Sequence, residues 1–208
     1  MNPPGCSVGS PTFDRVVDAF RLGFVTGATP DKWARTWRER RRDPLELLPL
    51  EQDTQTDGLR DGSLDMALVR LPVDRDGLHL IPLYDEQAVV VVGKDHLVTV
   101  ADEVTTHDLA DEQLVLPHDS GWTPEAEQLD FPPMSLREAV EVVASGTGVL
   151  IVPMSVARLH HRKDVVFRPV TDLPPTKIGL AWLVDNDDPR IHEFIGIVRG
   201  RTVRSSRD

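Results

Sequence analysis

Three short segments of the chain carry groups that could hold a small polar ligand. Thr26-Gly27-Ala28-Thr29 offers two hydroxyls and the backbone N–H groups of small residues, Gln52 an amide, and Arg70 a guanidinium able to take a carboxylate through two hydrogen bonds. A fourth segment, Pro117-His118-Asp119-Ser120, adds an imidazole donor and a carboxylate. Together they suit a small organic anion or similar metabolite, although Asp119 would repel a carboxylate unless paired and favours an amine or hydroxyl on the ligand. Each segment also has a plainer use: a helix cap for 26–29, a salt bridge for Arg70, a solvated loop for His118.

Other chemistries lack their residues. His118, Asp119 and Ser120 are the residue types of a nucleophilic triad, but consecutive positions rarely converge as nucleophile, base and orienter, so a structural use is expected. His160 and His161 are adjacent and would point about 100° apart on a helix, a poor arrangement for one metal. The single cysteine, Cys6, permits neither an intramolecular disulfide nor a cysteine-based zinc site. Gly146-x-Gly148 follows a helix-like run and precedes a strand-like one, the reverse of a dinucleotide-binding turn, and P-loop and Gly-x-Ser-x-Gly patterns are absent. No catalytic group, cofactor or metal is expected.

The elements that would position these groups alternate between strand and helix. A strand over 20–25 leads into a helix with Thr29 as N-cap, Pro30 at N1 and an end near Arg42. A strand over 45–50, a short helix over 54–61 closed by Gly62, and a strand over 65–69 repeat the order. Strands over 78–83 and 88–92 follow, the second apolar at every position, as suits a strand buried on both faces. The second half reads as a strand over 113–116, a long loop, a helix opened by the Ser135/Glu138 capping box, a strand over 149–152, a short helix from Pro153 and a strand over 165–167. A strand over 178–184 and a helix over 189–198 close the chain. Such an order predicts mixed, mainly parallel sheets. Open α/β sheets bind ligands beyond the carboxyl ends of their strands, which is where Thr26, Gln52, Arg70 and His118 fall.

With 208 residues the chain can form two small lobes, and its 40% apolar content with no run of membrane-span length predicts a soluble protein. Residues 1–12 hold neither a basic nor an apolar signal region, so a cytoplasmic location is expected and no membrane partner. The net charge of −11 argues against the whole molecule gripping nucleic acid. Arg38, Arg40, Arg41 and Arg42 crowd one helix end, where cations are favoured by the helix dipole and by water.

Two segments carry a family resemblance. Residues 59–68, Leu-Arg-Asp-Gly-Ser-Leu-Asp-Met-Ala-Leu, and residues 143–153, Val-Ala-Ser-Gly-Thr-Gly-Val-Leu-Ile-Val-Pro, with Pro82-Leu83, Asp95-His96 and Thr106-His107-Asp108-Leu109 between them, resemble the effector-binding domain of LysR-type transcriptional regulators. The likeness spans 20–199, with Leu97 where the family usually has proline. It implies the two-lobed α/β fold of type 2 periplasmic binding proteins, with one lobe formed by 20–92 and 171–200, the other by 93–170, and tails over 1–19 and 201–208. Chain crossovers are then expected near 91–94 and 167–170. The resemblance favours ligand contact by 26–29, matches 117–120 to the second-lobe contact loop, and implies a non-enzymatic sensor. An enzyme acting on a small organic acid is the alternative. It further implies a homodimer, for which the faces carrying Trp33 and Trp37 on the first helix and Phe194, Ile195 and Val198 on the last are the expected surfaces. The family's winged helix-turn-helix would precede Phe20, and 19 residues are too few for one, so specific DNA binding by this chain alone is not expected; the chain is either a stand-alone effector domain or a fragment.

Overall fold

The computed structural model describes residues 18–118 and 120–200. Cys6, Asp119 and most of the expected tails, residues 1–17 and 201–208, therefore lie outside the described residues. In chain order the main elements are β1 (Phe20–Val25), α1 (Asp31–Arg40), β2 (Leu45–Leu50), α2 (Asp57–Arg60), β3 (Met66–Leu71), β4 (Leu78–Glu86), β5 (Ala88–Gly93) and α3 (Leu136–Ala144). The chain continues with β6 (Leu150–Pro153), α4 (Met154–Leu159), β7 (Val165–Pro169), β8 (Thr176–Leu183) and α5 (Pro189–Val198).

Strands divide into two sheets, ordered β2-β1-β3-β8-β4 and β6-β5-β7. The chain passes between them at Gln87, which separates β4 from β5, and returns between β7 and β8. The first crossing differs from expectation: β5 belongs wholly to the second sheet, so the boundary falls at Gln87 instead of 92/93, while the return follows β7, which ends at Pro169. A run apolar at every position shows that a strand is buried on both faces, but it cannot say which sheet buries it.

The sheets are mixed, as expected, but not mainly parallel. β1 pairs parallel with β2 and β3, whereas β8 runs antiparallel to both β3 and β4, and β5 is antiparallel to β6 and β7. In the second lobe parallel pairing survives only at isolated bridges, Val104 with Val170 and Leu114 with Val149. The reason is the hinge. β4 arrives at it with Glu86 and β8 leaves it from Thr176, its direct partner, so the returning strand must oppose its neighbours. These directions also aim the carboxyl ends of β1, β2 and β3 at the hinge, and those of β6 and the segment at Leu114 from the other side.

Burial follows strand alternation. Met66 and Leu68 of β3 join Phe20, Leu22 and Ile178 under α1 and α5, while Ala67 and Val69 face the opposite layer with Leu59 and Ala181. Val89 and Val91 of β5 pack beneath α3 and α4, and Val90 and Val92 beneath Leu109 and Val98. Asp65 ties β1 to β3: its carboxylate accepts from the Arg21 backbone N–H at 2.7 Å and from the Arg21 guanidinium at 3.3 and 3.2 Å. Gly148, with φ +73°, lets the backbone at Gln113 approach so closely that the Val149 N–H reaches the Gln113 carbonyl at 2.7 Å, so the Gly-x-Gly pattern serves packing here.

Two details of the helices depart from expectation. Pro30, not Thr29, takes the N-cap position of α1, its carbonyl accepting from the Trp33 and Ala34 N–H groups, and Arg41 is already extended, so the helix stops before Arg42. More consequential is the packing of α1 on α5 within one chain. Trp37 is fully buried, stacked on Phe20 with centroids 5.0 Å apart and lying 5.9 Å from Phe194, itself fully buried. The expected dimer surfaces therefore lose their principal residues to the lobe's own core, because an apolar helical stripe satisfies a neighbouring helix as well as a second subunit.

The capping box at α3 forms as read, Ser135 Oγ accepting from the Glu138 N–H and the Glu138 carboxylate from the Ser135 N–H at 2.7 Å. At α5 the N-cap is Asp188, whose carboxylate accepts from the Arg190 N–H and guanidinium. Hydrogen bonds from the Arg190 side chain hold the Asp188 carboxyl below its ordinary range, as those from Thr106 do for Asp172 and those from the Ser135 backbone and hydroxyl for Glu138. A carboxyl depressed in the folded state contributes stability that is complete above its unfolded pKa, about 4, and is lost as pH falls through the lower folded value. Melting temperature is therefore expected to stay level from about pH 5 to 7 and to fall on acidification below about pH 4. Asp188→Ala should cost about 1 kcal/mol at pH 7 and progressively less towards pH 2, as calorimetry over that range would show. Among the described residues no helix is long and apolar enough to cross a membrane.

Candidate effector cleft

Where the strand ends of the two lobes meet there is a cleft of about 550 Å³, within the size range of small-molecule sites. Its two walls differ in kind. The first lobe contributes only polar side chains, Thr26, Glu51, Gln52, Asp53, Arg70 and Thr176. The second contributes an apolar wall that includes Leu116, Leu136, Pro153, Val156 and Leu159, with His118, Ser135, Arg137 and His160 among it.

Of the residues expected to contact ligand, Thr26, Gln52, Arg70, Pro117 and His118 line the cleft, while Gly27, Ala28 and Thr29 do not. Ala28 is buried in the core with Trp37, and Thr29 is exposed on the outer side of the turn. Gly27 has a different task. A Cβ on it would lie 2.5 Å from Ser155 Oγ and 3.2 Å from the Val156 nitrogen, so this turn of the first lobe touches the start of α4 in the second, with φ +91° besides. Gly27→Val is expected to wedge the lobes apart: small-angle scattering should show a larger radius than the unaltered protein, and affinity for any ligand that bridges the walls should fall at least about tenfold, a loss of about 1.4 kcal/mol. An unchanged radius and affinity would show that the contact is dispensable.

Arg70 does not present an uncommitted guanidinium. It is buried, and its Nη2 donates to Glu86 Oε2 at 2.9 Å and to the Thr26 carbonyl at 3.1 Å, while Nη1 donates to Gln52 Oε1 at 3.1 Å. The expected bidentate grip on a ligand carboxylate is replaced by an internal ion pair that cancels the cation's charge. Gln55, also buried, fixes the end of β3 by exchanging hydrogen bonds with the backbone of Arg70 at 2.6 and 3.0 Å. His118 is buried, and its Nδ1 accepts the Ser120 N–H at 3.3 Å. Ser120 Oγ, 2.7 Å from Nδ1, also receives the Trp122 N–H, so the pair closes a turn.

Three buried side-chain polar atoms among the described residues lack a hydrogen-bond partner: Arg70 Nε, Thr176 Oγ1 and Ser155 Oγ. Arg70 and Thr176 line the cleft, and Ser155 abuts Gly27 at the seam between the lobes. Buried polar atoms ordinarily find partners, so the two that line the cleft are candidates to contact a bound polar group. Sequence reasoning missed the contributions of Glu51, Asp53, Ser135, Arg137, Pro153, His160 and Thr176. One signal was available: Pro153 ends β6, and the strand-end rule that picked out Arg70 applies to it equally.

A protein-family model described as the LysR substrate binding domain matches residues 21–202. The chain is 26% identical over 205 residues to the HTH-type transcriptional regulator AlsR of Bacillus subtilis (strain 168), covering 88% of this chain and 67% of the relative, so it spans about two thirds of that regulator's length. Among solved structures, a mutant OxyR regulatory domain from Pseudomonas aeruginosa superposes with a TM-score of 0.67 at 25% identity, over 89% of this chain and 98% of that one. The BenM effector binding domain with its effector benzoate gives a TM-score of 0.72 at 21% identity, over 88% and 90%.

Proposed function

Because the chain belongs to the LysR substrate-binding domain family and is a ligand-sensing regulatory domain, we propose that it binds a small organic effector, an acid or similar metabolite, between its lobes and passes occupancy of the cleft to control of transcription. The observation that carries this reading is the pair of buried, unpartnered polar atoms, Arg70 Nε and Thr176 Oγ1, in a two-walled cleft set across a double chain crossing. A crossing of this kind is a natural hinge, so a ligand touching both walls favours the closed form by the difference in its affinity for the two.

A redox switch through an intrachain disulfide needs two cysteines, and the chain has one. Catalysis needs an acid, base or nucleophile converging on one point, and the cleft's His118 is engaged in a turn, so a non-enzymatic role is the reading adopted. BenM's named effector is an aromatic carboxylate, and a comparable organic acid fits the apolar wall here, with Arg137 as the cleft's exposed cation. The setting we infer is cytoplasmic, and the assembly a homodimer. The outer sides of α1 and α5, where Trp33, Ile195 and Val198 remain half-buried, are the surfaces inferred to pair. Sequence-specific DNA contact is not assigned to these residues.

Native mass spectrometry of freshly purified protein tests both parts. A carried small molecule, or a mass shift with a member of an organic-acid panel, at twice the subunit mass is the expected result. Failure of every panel member to bind, by mass or by calorimetry, would overturn the sensing role, and a monomer at tens of micromolar, roughly the range for weak interfaces, the dimer.

A further inference from the structure

The cleft does not end at the lobe boundary. His160, which follows α4, lines the cleft, a small apolar pit between α3 and α4, and a groove of about 500 Å³ on the outer side of these helices. Arg137, Leu159 and His160 are shared by cleft and groove, so the two adjoin along one track, with the pit beneath it. At the join Leu159 is 62% exposed, an apolar side chain left uncovered along it.

Charge along the track is polarised. Arg158, Arg162 and Lys163 fall within six residues of a chain of net charge −11, and His161 and Arg162 complete the groove. The acidic neighbours are Asp164, which takes Arg162 through two hydrogen bonds at 3.0 and 2.9 Å, and Glu141, 3.7 Å from Arg137 and 3.8 Å from Arg162. At 3.7 Å the contact of Arg137 with Glu141 is beyond hydrogen-bond length. On the opposite lip of the cleft stand Glu51 and Asp53, both exposed. Glu141 and Asp164 offset two of the four cations at Arg137, Arg158, Arg162 and Lys163, which leaves the second lobe's groove a positive excess. An anion entering the cleft is therefore repelled by the first lobe's lip and attracted to that groove, while an apolar body meets its complement only on the second lobe.

We propose that the effector is an elongated amphipathic acid, its apolar chain lying along the Leu136–Leu159 side of the cleft and its carboxylate in the groove over Arg137 and Arg162. This deepens the cleft reading and rests on it. Burial of successive methylenes along an apolar track should raise affinity about fourfold each. Each exposed arginine paired with the carboxylate should add about threefold.

Calorimetry with butanoate, hexanoate, octanoate and 1-octanol tests the assignment. Affinity is expected to climb along the acid series at about fourfold per methylene, and octanol to bind about tenfold more weakly than octanoate. The double variant Arg137→Gln/Arg162→Gln should bring octanoate down to the level of octanol and leave octanol unchanged. Both side chains are exposed, so the variant should fold, as circular dichroism would verify. Equal binding of acid and alcohol, or a double variant without effect, overturns the groove assignment. An organic acid that binds the protein, loses affinity with Gln52→Ala and is indifferent to the arginine pair overturns it while sustaining the cleft. No binding by either the alkanoates or the wider acid panel overturns both.

Discussion

Arg70→Ala is expected to lower the stability of the protein by about 3–5 kcal/mol, the usual cost of stranding one member of a buried ion pair. The side chains of Arg70 and Glu86 are only 2% and 6% exposed and meet at 2.9 Å, so removal of the guanidinium leaves a nearly buried carboxylate without its counter-ion. The same substitution frees the Thr26 carbonyl and Gln52 Oε1 of their donors, so the loss is felt at three places around the cleft. Replacing both partners, as in Arg70→Met with Glu86→Leu, should restore most of the stability, because the desolvation cost of both charges disappears with them. Urea unfolding of the three proteins measures the effect. A loss under about 1 kcal/mol for Arg70→Ala would mean that the pair is solvated and behaves as a surface bridge. Glu86 is the last residue of β4 before the first crossing and pairs with Thr176, the first residue of β8 after the second, so this ion pair links the cleft to the hinge.

Trp37→Ala should cost about 3–5 kcal/mol as well, and by a different route. Its ring completes a three-way aromatic cluster with Phe20 and Phe194, themselves 6.0 Å apart, so truncation opens a cavity beside two rings already in contact. The indole N–H also donates to the Asp43 carbonyl at 3.0 Å, which adds about 1 kcal/mol. Trp37→Glu is expected to unfold the first lobe, since a carboxylate would replace a fully buried ring. Had this side chain formed a subunit interface, the same substitution would give a folded monomer. Sedimentation combined with near-ultraviolet circular dichroism separates the outcomes: loss of the aromatic signal supports a core role, and a compact monomer with native dichroism would remove it.

The contrast between these two residues marks the limit of what local pattern can reveal. α1, α3 and α5 announced themselves through Trp33/Trp37, Ser135/Glu138 and Pro189 with its 3.6-residue periodicity, because caps and amphipathic stripes depend on neighbours within a few residues. α3 and α5 stand where the pattern placed them, and the Ser135–Glu138 box is formed. Strand positions were legible for the same reason, although β3 runs on to Leu71 and so contains Arg70, and 113–116 forms only a bridge at Leu114; with the rule that α/β sheets bind beyond their carboxyl ends they located Thr26, Gln52, Arg70 and His118 at the cleft.

Partnership was not legible. That Trp37 meets Phe194 of its own chain, that Ala88–Gly93 joins the second sheet, and that Arg70 is neutralised by Glu86 are contacts between residues far apart in sequence, and residue type alone assigns an apolar stripe or a cation no particular partner. The sequence by itself determined the alternation of elements, the capping box of α3, the two-lobed family and the neighbourhood of the strand ends where a ligand could sit. Only the tertiary structure decided which lobe owns each strand, that Gly27 is a seam between lobes, and that the first lobe faces the cleft with polar groups and the second with an apolar wall continued into a basic groove. The physical reason is that hydrogen-bonded turns and caps are settled within one turn of chain, whereas burial and charge pairing are settled by whatever the whole fold brings within a few ångströms.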